Sequence, residues 1–104
     1  MSRTVGIVQP HEEISVAEQI YLIELHAREE GVAISDFVGS DEILRMDLTA
    51  AQSLMESIAG GETGSIVFVD AVLDKIPPEL TRLCREMGCK VLAVDRHRAG
   101  LGVP

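Results

Sequence analysis

Aromatic residues are nearly missing from this chain: there is no tryptophan, one tyrosine and two phenylalanines in 104 residues. Its core must therefore be built from Val, Ile, Leu and Ala, the usage expected of a parallel sheet covered by helices. Basic residues are also scarce, 9 against 17 acids, for a net charge of -8. A general nucleic-acid binder carries the opposite excess, because phosphate neutralisation drives its affinity. No apolar run is long enough to span a membrane, since the longest ones break at Asp70 and Asp95. The N-terminus has a single Arg3 and no extended apolar stretch, so no secretory signal is read there.

The two cysteines, Cys84 and Cys89, flank Gly88 at a spacing that fits neither a Cys-x-x-Cys redox pair nor a zinc knuckle. A reduced thiol pair in a cytoplasmic protein is the expectation. His11, His26 and His97 lie far apart, and no metal pattern links them. No glycine-rich phosphate loop follows the first strand, because Gly6 lies inside it and Gly60-Gly61-Glu62-Thr63-Gly64 precedes a strand rather than a helix. Neither a metal nor a cofactor is therefore expected.

What the chain does have is apolar content, 46% of its residues, which is far above that of a disordered acidic chain. The length fits one domain able to bury a core without staples. The charge is uneven. Residues 1–74 hold 14 acids and 3 bases, giving -11, whereas residues 75–104 hold 3 acids and 6 bases, giving +3. Arg82, Arg85, Lys90, Arg96 and Arg98 thus make a candidate basic patch, read first as solvated side chains.

Periodicity predicts strands at residues 4–8, 32–38, 65–69 and 90–94, with helices between them. Ser15-x-x-Glu18 is a capping box that opens a helix running to about Glu30, with Val16, Ile20, Ile23 and Ala27 as its apolar stripe and Gly31 as its left-handed stop. The second helix opens at Asp47 or Thr49, with Leu48, Ala51, Leu54, Met55 and Ile58 facing inward. Pro77-Pro78 suits a helical first turn, and Leu80, Leu83, Cys84 and Met87 form the stripe of the helix that Gly88 ends. Strands joined by helical connections of this length imply right-handed crossovers. The expected fold is a three-layer α/β/α domain over residues 1–95, with a mainly parallel sheet of four or five strands, and a tail over residues 96–104.

In order and spacing the chain resembles the N-terminal catalytic domain of the resolvase/invertase family of serine recombinases. The likeness covers about residues 4–95. It rests on Glu12-Glu13-x-Ser15-x-x-Glu18-Gln19-Ile20 after the first strand and on Ala27-Arg28-Glu29-Glu30-Gly31-Val32 at the helix end. It rests also on Leu54-Met55-x-x-Ile58 in the second helix, and on Gly64-Ser65-Ile66-Val67-Phe68-Val69 followed by Leu73-Asp74-Lys75. Active members of that family carry Arg-x-Ser at the end of the first strand, where the serine attacks a DNA phosphate. The matching triplet here is Ile7-Val8-Gln9, which has neither the nucleophile nor the phosphate-binding cation. Arg45 and Lys75 are the cations nearest to where the family places its other arginines. The resemblance thus implies a recombinase-like domain without the chemistry of DNA recombination. With the sequence stopping at Pro104, the expectation extends to a lost DNA-binding module.

No residue is assigned a catalytic role. The candidate crevice at the strand ends comprises Gln9, His11, Glu12, Asp70 and Lys75. His11 and Glu12 could act as an acid and base, and Asp70 follows the third strand as a receiver's phosphoacceptor does. Gln9-Pro10 stands where a receiver needs an acidic pair. Asp36, Asp41, Glu42 and Asp47 gather near the exit of the second strand, at a spacing that fits no calcium loop. The reading these residues support is an inactive recombinase-like module that contacts a protein partner or a second copy of itself. The alternatives are residual DNA binding through the C-terminal third and a small-ligand site at the crevice.

Overall fold

Alternation of apolar strands and amphipathic helices is what the structure, a computed structural model, also displays; it describes residues 3–39 and 50–96. The elements run β1 (Arg3–Val8), α1 (Val16–Glu30), β2 (Ile34–Gly39), α2 (Ala50–Ala59), β3 (Thr63–Val69), a 3-10 helix (Asp70–Lys75), α3 (Pro78–Met87) and β4 (Lys90–Val94). Among the described residues the sheet has four strands in the order β2-β1-β3-β4, all parallel.

That order fixes where the helices go. The β1-to-β2 crossover moves one way across the sheet, and the later two move the other way. Right-handed connections then place α1 on one face and α2 with α3 on the opposite face. The packing follows this division. Leu22 and Ile23 of α1 sit on Val8, Val67, Val69 and Val94. Leu54 and Ile58 of α2, with Leu80 and Cys84 of α3, sit on Val5, Ile7, Ile66 and Phe68. The result is a flavodoxin-like three-layer domain whose topological switch point lies between the C-terminal ends of β1 and β3.

Local chemistry sets the boundaries. The Ser15 hydroxyl accepts from the Glu18 amide at 3.1 Å and donates to the Glu18 carboxylate at 3.3 Å. The carboxylate thus bonds the Ser15 side chain rather than its amide, so the capping box forms with its second half altered. Gly31 (φ 71°) turns the chain out of α1, and the Val32 amide donates to the Ala27 carbonyl at 2.9 Å. Val32 is thereby consumed by the helix stop, and β2 begins at Ile34 rather than at residue 32. β3 begins at Thr63, two residues ahead of expectation, because Thr63 pairs with Arg3. The predicted start of the second helix, with Leu48, and the acids Asp41, Glu42 and Asp47 lie outside the described residues, as does Arg45. Of the predicted stripes, Leu54, Ile58, Leu80 and Cys84 are buried, while Met55 and Met87 are exposed. α1 departs from its prediction: Val16 and Ile20 are only partly buried, and the fully buried positions are Gln19 and Ile23, with Leu22 and Ala27 close behind.

Two register irregularities mark the starts of the inner strands. β1 skips Ser35 in its pairing with β2, and it skips Gly64 in its pairing with β3.

Candidate functional site

The loop that leaves β1 is held by a side chain the sequence pattern concealed. Gln19 has no exposed surface. Its Oε1 accepts from the Gln9 amide at 3.0 Å, and its Nε2 donates to the carbonyls of Gln9 and of Ile14, the latter at 3.2 Å. A primary amide offers one acceptor oxygen and two donor hydrogens. All three are used on the backbone of one loop. Gln19 lies three residues after Val16 and four before Ile23, so it occupies the same helical face. That spacing was the signal available for finding it.

The three strand exits meet through Arg96. Its backbone amide and its Nε both donate to Oδ1 of Asp70, at 3.0 and 3.1 Å, and its Nη1 donates to the Glu13 carboxylate at 2.9 Å. Asp70 is the first residue after β3, Glu13 belongs to the loop after β1, and Arg96 follows β4. The switch point is thus crossed by one guanidinium shared between two carboxylates. A phosphate would have to displace these carboxylates to use Arg96, and Asp70 is engaged twice over.

The other predicted crevice residues scatter around this network. His11 is half-buried, and its Nδ1 accepts from the Glu13 amide at 3.1 Å. Glu12 is exposed, and Lys75 ends the 3-10 helix with its side chain in solvent. The structure brings Gln9, His11 and Asp70 to one end of the sheet, and it adds Gln19, Glu13 and Arg96 as the residues that organise it.

Of the candidate basic patch, Arg82 and Arg85 are exposed on α3 and Lys90 is exposed at the start of β4. Arg96 is spent on Asp70 and Glu13, and Arg98 lies outside the described residues. Among the described residues, no group of three or more His, Cys, Asp or Glu side chains is placed to hold a metal ion. No helix among them is long and apolar enough to cross a membrane.

Cys84 and Cys89 are both buried. The cause is the stop of α3: the Cys89 amide donates to the Cys84 carbonyl at 2.8 Å, folding the thiol back under the helix before β4 begins. Burial, reinforced by the neighbouring Cys89 thiol, pushes Cys84 from 9.0 up to about 12. Burial raises Cys89 as well, with its bond to Cys84 opposing the rise. A raised folded-state value means the unfolded chain loses its thiol proton first as pH climbs. The stabilisation is complete below 9.0 and is lost as pH rises towards about 12. The denaturant midpoint is therefore expected to fall progressively on the alkaline side of 9.0. Cys84→Ala should flatten that decline, as followed by urea titration across the range. An unchanged slope in the variant would assign the decline to other groups.

No protein-family model matches this chain, and no curated protein matches it.

Proposed function

We propose that this chain is a catalytically inactive, serine-recombinase-like domain that works as a protein-interaction or regulatory module. The observation that carries the reading is the filled switch point. Gln9 stands where a nucleophile would be needed, its backbone is clamped by Gln19, and the Arg96 guanidinium is shared between Asp70 and Glu13. Such an end is tied by its own hydrogen bonds and carries more negative than positive charge, which suits a contact surface better than phosphoryl transfer.

The edge of the sheet supplies the contact. β4 pairs only with β3 among the described strands, and Val91 and Leu92 are 39% and 37% exposed on its opposite faces. An edge strand with unpaired backbone groups and apolar side chains is a template for adding another strand. Pairing with a second copy across a two-fold axis satisfies both copies at once.

Sedimentation velocity tests this. The wild-type chain is expected to form a dimer at micromolar concentration, and Leu92→Lys, which puts a charge on the edge, is expected to leave a folded monomer. A wild-type chain that stays monomeric, or a variant that dimerises equally well, removes β4 as the pairing edge.

A further inference from the structure

A cleft of about 650 Å³ lies between β2 and α2 and reaches the starts of β1 and β3. Its existence follows from the topology. α2 leaves the edge strand β2 and must return to β3, two positions away. It packs through Leu54 and Ile58 over β1, β3 and Val38 of β2, and among the described residues the α2-facing side of β2 is exposed nearer its start, at Asp36. The volume is within the range of small-molecule sites, roughly 300–1,000 Å³.

The register decides which side chains enter it. Val5 pairs with Asp36, and Arg3 lies two residues before Val5, so all three face α2. Thr63 pairs with Arg3 and faces the same way. The skipped residues Ser35 and Gly64 both fall at this end of the sheet, where bulges re-aim side chains. The Glu62 carbonyl accepts from the Arg3 amide at 2.7 Å, which ties Glu62 to the same rim. On the inner wall the Ser57 and Thr63 hydroxyls bond one another at 2.7 Å.

Among the described residues the rim therefore carries one guanidinium, Arg3, and two carboxylates, Asp36 and Glu62, around a floor that includes Val5, Val38 and Leu54. No ion pair joins these three side chains to one another, and the Asp36 carboxylate accepts from the Phe37 amide at 2.9 Å. Opposite charges around an apolar floor are complementary to a ligand that carries opposite charges and a hydrocarbon stem between them.

We propose that the cleft binds a free basic amino acid. The carboxylate meets Arg3, the two ammonium groups meet Asp36 and Glu62, and the methylene stem lies over Val38 and Leu54. The ligand's net positive charge matches the net negative charge of the rim. This stands independently of the module reading above, since it involves neither the switch point nor β4.

The test is a titration of the isotopically labelled chain followed by amide chemical shifts, with L-lysine, cadaverine (no carboxylate) and L-norleucine (no side-chain ammonium) as probes. L-lysine is expected to give saturable shifts centred on Val5, Asp36, Leu54 and Thr63. Losing one charge-assisted contact should weaken each of the other two probes by about tenfold. Arg3→Gln should erase the difference between lysine and cadaverine. Asp36→Asn combined with Glu62→Gln should erase the difference between lysine and norleucine. All three side chains are exposed, so these variants keep the fold, and Arg85→Gln on α3 should bind as the wild type does. No saturation by lysine at millimolar concentration, or lysine binding that ignores Arg3→Gln, overturns the proposal.

Discussion

Gln19→Leu is expected to lower the unfolding free energy by about 3 kcal/mol, although the two side chains are nearly equal in volume. The leucine fills the same buried space on the α1 face, so the transfer of apolar atoms favours the variant slightly. Against this stand three backbone groups that lose their bond to Gln19: the amide and carbonyl of Gln9 and the carbonyl of Ile14. Each unmade bond at a buried group costs about 1–3 kcal/mol. The Ile14 side chain is buried and Gln9 is partly so, which limits how far water can substitute. Gln19→Glu sharpens the test. A carboxylate keeps an acceptor for the Gln9 amide but has no hydrogens for the two carbonyls, and it adds a buried charge. It should therefore be at least as destabilising as leucine at neutral pH. Urea denaturation gives the loss, and amide exchange at Gln9 gives its location. A leucine variant as stable as the wild type would mean that the loop after β1 is held by something other than Gln19.

The same residue shows how far the sequence could be read. Strand and helix order was legible because the apolar periods are clean: Ile66 to Val69 form an unbroken run, and Gly31 and Gly88 stop helices with φ of 71° and 75°. The three-layer fold follows from those elements plus the handedness of crossovers. The site was legible only as a place. The end of β1 could be identified, but a hydropathy pattern treats Gln19 as an interruption, whereas its amide is buried because it completes the backbone of a loop. Arg96 was hidden for a different reason. It lies 26 residues from Asp70 and 83 from Glu13, and charge counting assigned it to a basic patch. Only the parallel sheet, which brings every strand's C-terminal end to one side, puts the three together. The cleft is not legible in the sequence because it depends on how α2 is set against the start of β2, and on two skipped residues that shift Arg3 and Asp36 into register.

Gly6→Val is expected to cost about 3 kcal/mol, for reasons of space rather than backbone freedom. Gly6 is not one of the positive-φ glycines of this chain. It sits in the middle of β1, paired with Phe37 on one side and Val67 on the other. A glycine there marks a close approach. A Cβ built on Gly6 would fall 2.6 Å from both Cδ1 and Cε1 of Phe37, and 3.5 Å from Cγ2 of Ile23. The Phe37 ring therefore lies across the Gly6 backbone and fills the hollow left by the missing side chain, with α1 above it. Valine suits a strand by propensity, so any penalty measures the collision and not the backbone. Phe37 sits on the edge strand and is half-buried, which lets its ring move outward at the expense of its contact with the α1 layer. Pairing Gly6→Val with Phe37→Ala separates these contributions. If the ring is the obstacle, the two substitutions are strongly non-additive, and the double variant is more stable than the sum of the singles by more than about 1 kcal/mol. Equilibrium denaturation of the four proteins supplies the cycle. Additive losses would place the cost at Ile23 and α1, and would remove Phe37 as the reason this strand carries a glycine.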